Sequence, residues 1–536
     1  MTTRREILTL LVGAPLAAEA CRRGDSSVPG RFLGSSPEVG HLLRSGAVQA
    51  PLSQSKPVEV EVAIVGSGPS GLSAAWRLDQ LGLRDFQVLE LEPWLGGTST
   101  SGISAVSPYP WGAHYVPLPG AENHALRRLL QEVGALNDQG EPSERALIRE
   151  PEDRLFFEGS WHEGIFPAEG ASAQDLQQLR AFEEEVQKWV RYRDPENRRA
   201  FAIPLAQAAE SPELTRLDQT SAADFCTAHG FNSERLLWYL NYCCRDDYGA
   251  TLEGVSAWAL IFYFAARMQA PGGSTRPFLT WPEGNGKLVK HLAARAGKRV
   301  KPRQMVLRVS ADATSVTLEV LDVLKNQRYL LRARSAILAI PQFVIARMWE
   351  PFRSAAPEYL RQFKYSSWLV ANLHLRARPK GRGFPLAWDN VLYESPSVGY
   401  VVATHQGLSD FGPTVFTYYL PLTNLDLAAE RHKLLKLDHA TACDAILADL
   451  ERAHPNLREL VDHIDVWRWG HAMIRPSVGF WSSSGRRRAG QLHARVFAAH
   501  SDLSGIALFE EAQYRGVVAA ESAARLGPRQ VDPLYG

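Results

Sequence analysis

The chain has 536 residues, a length that allows roughly two to four domains. Its 59 Lys and Arg against 58 Asp and Glu leave a net charge of +1, which argues against a nucleic-acid surface and against a strongly acidic partner. At 45% hydrophobic and 22% charged, it has the composition of an ordinary soluble globular protein. The 14 Trp, 16 Tyr and 21 Phe must mostly be core, with some left to line an aromatic substrate cavity.

The first residues read as an address. Thr3-Arg4-Arg5-Glu6-Ile7-Leu8 resembles the twin-arginine export signature. An apolar run from Ile7 to Ala18, broken by Gly13 and Pro15, ends in Ala18-Glu19-Ala20. It is too short for a membrane span, which needs about 20 residues. A positive start, short apolar core and Ala-x-Ala end mark residues 1–21 as a signal peptide. The expected partner is the twin-arginine machinery, which carries proteins already folded. Cys21 follows the cleavage site, so a lipid anchor is a further expectation, and the mature chain has no transmembrane helix. The expected location is exported: periplasmic, or held at a membrane as a lipoprotein. Residues 22–57 are rich in Gly, Ser and Pro and read as a linker, with one short helix near His41–Leu43.

Val60–Gly102 organises the rest. Val60–Val65 is a β-branched run of the buried parallel-strand type. Gly66-Ser67-Gly68-Pro69-Ser70-Gly71 follows, then a helical stretch to about Leu81, then an apolar strand Phe86–Leu91 carrying Glu90. This is the strand–turn–helix–strand context of a dinucleotide site. Gly66 permits the tight turn, Gly68 leaves room for a pyrophosphate, and Gly71 lets helix and strand approach. The helix N-terminus offers free N–H groups to phosphates, and Glu90 would accept hydrogen bonds from a ribose.

Gly96-Gly97-Thr98-Ser99 resembles the second glycine motif of the flavoprotein superfamily of amine oxidases, phytoene desaturases and protoporphyrinogen oxidases. That resemblance implies FAD. It also implies an α/β fold, with a Rossmann-like, glutathione-reductase-like FAD-binding domain interrupted by a helical and mixed-sheet substrate domain. The expected FAD-domain pieces are 58–120, 281–345 and 491–536. The substrate pieces are a mostly helical 121–280 and a sheet-and-helix 346–490.

Later segments add to the resemblance in order. Tyr109-Pro110-Trp111-Gly112-Ala113-His114-Tyr115 resembles the stretch run beneath the flavin, where Gly112 and Ala113 allow close approach and His114 is a cavity candidate. Helical periods follow at Ala121–Leu136, Ser172–Arg191, Ser233–Cys244 and Leu252–Ala270. Arg245-Asp246-Asp247-Tyr248-Gly249, between the last two, reads either as a solvated turn or as a polar part of the substrate domain. Trp281–Gly286 resembles the family's return into the FAD fold, with Asn285 in place of a glycine. Val300–Val309, Ser315–Val323 and Tyr329–Arg334 alternate as strands, and Val306 matches the residue whose backbone contacts adenine. Ala336–Pro341 resembles the family's strand exit. Trp368–Arg376 and Val415–Leu420 suit a sheet flooring a cavity, and Leu427–Leu450 reads as one helix.

The family's oxidases often place a lysine in the first of those strands. The matching position is near Ala371, and no lysine stands between Lys364 and Lys380. Trp467–Met473 resembles the segment leading back to the flavin, making Trp469 and His471 cavity candidates. Arg475 is a weak candidate for a substrate carboxylate. Arg495–Ala499, then His500-Ser501-Asp502-Leu503-Ser504-Gly505, then a helix Phe509–Leu526 resemble the last FAD motif. Asp502 would hold the ribityl or pyrophosphate region, and N–H groups after Gly505 would face the flavin. The five cysteines show no metal spacing, so no metal is expected. The function this implies is oxidation of a C–N bond in a small amine or amino acid by hydride transfer to FAD. The alternatives are a desaturase or isomerase of an apolar substrate, and a non-catalytic FAD-binding partner protein.

Overall fold

The structure is a computed structural model that describes residues 28–46, 48–268, 272, 275–407 and 409–535. The twin-arginine motif and Cys21 lie outside the described residues. Val58–Val65, buried over its last four positions, is the central strand of the nucleotide-type sheet. It pairs in parallel with Phe86–Leu89 on one side and with the second half of Gln327–Leu338 on the other. Val300–Lys301 and Val496–Ala498 extend the parallel set at its two ends. The first half of Gln327–Leu338 instead pairs antiparallel with Val316–Asp322, which pairs with Gln304–Ala311. The two strands expected at Tyr329–Arg334 and Ala336–Pro341 are therefore one 12-residue strand serving two sheet regions.

Pro69–Gln80 and the C-terminal helix Phe509–Arg525 lie against each other on this sheet. Their separation is set by a missing side chain. A methyl group added at Gly516 would sit 2.1 Å from the Ser70 carbonyl oxygen.

The second large sheet has eight strands. In spatial order they are Phe32–Gly34, Val461–Ile474, Tyr365–Leu375, Thr414–Leu422, Tyr400–Val402, Asp389–Leu392, Asp153–Phe157 and Ser160–Glu163. Strand alternation divides its faces. Leu369, Ala371, Leu373, Phe416 and Tyr418 pack on the helices Leu427–Lys436 and His439–Leu450. Trp368, Val370, Val415, Tyr419, Trp467 and Trp469 join an aromatic cluster on the other face.

Several expected boundaries move for local reasons. Residues 28–46 and 48–57 are not a free linker. Phe32–Gly34 adds a parallel strand to Val461–Ile474. Pro37–Gly40 and Leu42–Ser45 form two single-turn helices, and Ala50 is buried against the other sheet. The Ser36 amide and hydroxyl donate to Glu92 at 2.9 and 3.0 Å, fastening this strap to the nucleotide sheet.

The expected helix Leu427–Leu450 is two helices. Asp438 starts the second by accepting from the Thr441 amide at 2.9 Å, a cap that interrupts the first. The apolar helix is shorter than Leu252–Ala270 and spans Ala257–Ala265, with Ser256 as its cap. The helix Glu234–Tyr248 runs through Asp246 and Asp247, and Gly249 ends it at φ +58°. The solvated-turn reading of Arg245–Gly249 is thus overturned, because Arg245–Tyr248 are the last turn of a helix, with Arg245, Asp247 and Tyr248 buried. In the expected helical block, Asp153–Phe157 and Ser160–Glu163 form a hairpin that joins the second sheet. No described helix is long and apolar enough to cross a membrane.

Gly516→Ala forces the two helices apart. It is expected to lower stability by about 1–3 kcal/mol, the usual cost of overpacking, and to lower flavin retention. Thermal melts and the flavin-to-protein absorbance ratio read both.

Candidate active site

A cavity of about 1990 Å³ lies between the two sheets. Gly66–Ser70, Glu90, Gly97–Ser99, Ala113 and Val306 line it, as do Trp467–Ala472, Asp502 and Ala507–Phe509. The fingerprint glycines behave as a dinucleotide site requires. Gly66 has φ +97°, and an added methyl there would lie 2.5 Å from the Ala339 oxygen. At Gly71 it would lie 1.9 Å from the Gly66 oxygen. At Gly68 it would meet nothing within 4 Å, so that glycine opens onto the cavity. A pyrophosphate fits there, against the uncapped N-terminus of Pro69–Gln80. Ser70 turns inward, its hydroxyl donating to the Ala499 carbonyl.

Glu90 stands just past its strand. It accepts from the Ser67 amide at 2.8 Å, the Ser67 hydroxyl at 2.7 Å and the Glu92 amide at 2.8 Å. Burial nonetheless raises its carboxyl above the usual range. Ribose hydroxyls would relieve that burial by donating to it. The second glycine motif abuts the first, since Gly96 donates to the Ser67 carbonyl at 2.9 Å. Thr98 accepts from Ala113 at 2.9 Å, and a methyl on Gly112 would lie 2.3 Å from the Thr98 oxygen. This locks the Gly112–Ala113 segment against the cavity.

Asp502 ties three parts of the chain together. It accepts from the Gln342 amide at 2.9 Å and the Tyr365 hydroxyl at 2.5 Å, and His500 Nδ1 lies 2.9 Å away. Burial would raise its carboxyl, but His500, Tyr365 and Gln342 outweigh burial and hold it below the ordinary value. Its first role is therefore to position these groups at the cavity wall. Gly505, at φ +84°, does not line the cavity, and its N–H is spent on Ser501 and Asp502. The groups that face the cavity come later, at Ala507–Phe509, where the C-terminal helix starts without a side-chain cap. Such a helix end favours negative charge developing on a bound ring.

The three side-chain candidates fall in two places. Trp469 lines the cavity, and its Nε1 donates to the Trp111 carbonyl at 2.7 Å, so it braces the Trp111–Ala113 segment. His471 also lines the cavity and stacks on Phe343 with ring centres 4.2 Å apart. Burial and Arg431 push its imidazole down to about 4. His114 lies behind Ala113, its ring 4.9 Å from Tyr419 and 5.4 Å from Trp388. Burial lowers it to about 4, so it is neutral at physiological pH.

Two expectations are corrected. Ala371 faces the helices behind the sheet; Trp368, Val370 and Asn372 occupy the other face, so no lysine enters from this strand. Asn372 is fully used, donating to Pro110 at 3.1 Å and accepting from Thr417 at 2.7 Å. Arg475 serves the fold: it donates to Ser366 at 2.8 Å, Gly249 at 2.8 Å and Leu422 at 3.0 Å. Among groups the sequence left unremarked, Glu92 had a signal in its spacing from Glu90. Tyr365, Gln342, Asp389 and Glu510 had none.

A family model described as flavin containing amine oxidoreductase matches residues 69–500. The chain belongs to this family. It is accordingly an FAD-dependent oxidoreductase. No curated protein sequence matches this flavin amine oxidoreductase significantly. Among solved structures it is similar to wild-type putrescine oxidase bound to putrescine, with TM-score 0.62 and 17% identity over 87% of this chain and 99% of that one. Cyclohexylamine oxidase from Brevibacterium oxydans IH-35A gives TM-score 0.62 and 16% identity over 87% and 99%. A fatty acid isomerase from P. acnes that produces CLA gives 0.60 and 16% over 85% and 97%. At these identities the likeness is one of fold.

FAD, when bound, supplies the hydride acceptor. Gly68 and the helix N-terminus after it would hold its phosphates and Glu90 its ribose, while Ala113, Trp467 and Trp469 line the same cavity.

Gly68→Val is expected to leave the melting temperature of the flavin-free protein almost unchanged while abolishing flavin binding. Gly66→Ala should lose both. Melts and flavin absorbance on the two variants separate a cavity glycine from a packing glycine.

Proposed function

We propose that this enzyme oxidises the C–N bond of an amine by hydride transfer to FAD. One observation carries the reading. The segment Gly112–Ala113 closes the cofactor cavity, and directly behind it neutral His114 stands among Tyr115, Trp388 and Tyr419. A neutral imidazole does not repel a cation, and aromatic faces attract one. The neutral amine would lose a hydride from the carbon bearing nitrogen, and the resulting iminium would be hydrolysed by water to a carbonyl compound and an ammonium ion. Two structures of similar fold are those of putrescine oxidase and cyclohexylamine oxidase. The missing lysine means that proton handling falls to water or to groups outside Tyr365–Leu375.

We further propose that residues 1–21 direct the folded, flavin-loaded enzyme to export through the twin-arginine route. The support is the Thr3–Leu8 motif and the short apolar run after it.

Anaerobic absorption spectra of the purified protein with a panel of amines and amino acids are expected to bleach the flavin bands with an amine. Bands that persist with every donor would remove the oxidase reading. Replacing Arg4 and Arg5 by Lys should retain the protein in the cytoplasm in a cell fractionation; unchanged export would sink the twin-arginine proposal.

A further inference from the structure

Strand alternation sets His463, Asp465, Trp467 and Trp469 on one face of Val461–Ile474, while Ile464 and Val466 pack behind the sheet. At about 3.3 Å per residue the four form a line of roughly 20 Å. One end is the cofactor cavity, which Trp467 and Trp469 line. The other is the surface, where the His463 side chain is 34% exposed.

A chain of touching rings runs along this line. The ring centres of Trp469 and Trp467 are 5.1 Å apart, those of Trp467 and Trp111 4.9 Å, and those of Trp111 and Tyr109 5.5 Å. Tyr109 meets His374 at 5.1 Å, and His374 stacks on His463 at 3.9 Å. These are contact distances for aromatic rings. Indole and phenol rings give up an electron more readily than aliphatic, amide or imidazole groups. The oxidisable part of the chain therefore begins at the cavity with Trp469 and ends at Tyr109.

Hydrogen bonding grades the path. The Trp467 Nε1 is buried and has no hydrogen-bond partner, and the Trp469 Nε1 donates to the Trp111 carbonyl at 2.7 Å. Neither indole has a base to take its proton, so an oxidised tryptophan here keeps its charge, and that charge moves on. Tyr109 differs. Asp465 is the register partner of Asn372, whose amide donates at 3.1 Å to the carbonyl of Pro110, the neighbour of Tyr109. Burial, then the charge of Asp465, raise the Tyr109 hydroxyl. Asp465 also accepts from the Arg31 amide at 3.2 Å, and the Arg31 guanidinium lies 3.8 Å from its other oxygen. A carboxylate so placed takes the proton that a phenol sheds on oxidation.

We propose that Trp469, Trp467, Trp111 and Tyr109 form a relay that carries oxidising equivalents out of the cofactor cavity and so protects it. The oxidant is a peroxide-derived radical, formed when the reduced cofactor meets oxygen. It takes one electron from Trp469 or Trp467. Trp111 refills that ring, and Tyr109 refills Trp111. Tyr109 thereby loses one electron, and its hydroxyl proton passes to Asp465. A thiolate in solution returns the electron, and Asp465 returns the proton. The relay depends on the flavin alone and serves whichever bond the enzyme oxidises.

The test uses the flavin-loaded, oxidised enzyme without substrate. A pulse of blue light excites the flavin, which then takes one electron from a neighbouring ring. Transient absorption and electron paramagnetic resonance follow the positive charge left in the protein. A tryptophan signal that gives way to a tyrosyl signal is expected. Tyr109→Phe should leave the charge on tryptophan, and Trp111→Phe should abolish the tyrosyl signal. Trp94→Phe removes a ring 5.0 Å from Trp467 but off the path to Tyr109, and should keep it. Absence of a tyrosyl signal in the unmodified enzyme overturns the inference, whether or not a variant folds. So does a tyrosyl signal that survives Tyr109→Phe. Cycles of chemical reduction and reoxidation in air read the protection itself. Peptide mass spectrometry is expected to find oxidised Trp467 and Trp469 accumulating severalfold faster in Trp111→Phe than in the unmodified enzyme, and equal rates would remove the protective role.

Discussion

The structure depends on one close backbone contact. The turn at Gly66, the first turn of Pro69–Gln80, the Ala339 exit and the C-terminal helix meet at distances that exclude a β-carbon at Gly66, Gly71 and Gly516. Only then does the N-terminus of Pro69–Gln80 point its free N–H groups along the open side of Gly68. The strand bearing Glu90 and the Gly96–Gly97 turn are fixed to the same point by hydrogen bonds through Ser67. Backbone contact rather than side-chain packing thus places the phosphate and ribose sites relative to each other.

The reacting region has to be built between that point and a second sheet made by other parts of the chain. Two polar ties hold the halves together. Glu92 accepts from Ser36 on the N-terminal strap, which itself adds a strand to the far sheet. Asp502 joins the C-terminal motif to Tyr365 of that sheet and to Gln342 just after the nucleotide strand. Both acids are buried and both are satisfied, as buried charges must be to be tolerated.

The face of Tyr365–Leu375 shows how the fold limits the chemistry. Strand alternation puts Trp368, Val370 and Asn372 toward the aromatic cluster, and hydrogen bonds to Pro110 and Thr417 consume Asn372. Farther along the same face stands His374, whose imidazole burial and His463 push down to about 4.

The sequence by itself determined the nucleotide half. Gly66, Gly68, Gly71, Glu90 and Gly96–Gly97 follow one another within a short span, the glycines acting through their own backbone and Glu90 through its carboxylate, so local spacing carries the geometry. Helices and strands with clean periods, such as Ala173–Arg191 and Thr414–Leu422, were legible for the same reason. Tertiary structure alone decided the rest. Residues 22–57 read as a linker because the partners of Phe32–Ser36, Glu92 and Val461–Ile474, are far away in the chain. Arg245–Gly249 stayed open between a solvated turn and a polar part of the substrate domain, because its polarity says nothing of what packs around it. Tyr365 and Gln342 carry no local signal, since their roles come from Asp502, brought near by folding. Electrostatics and burial depend on distance in space, which one-dimensional spacing does not encode.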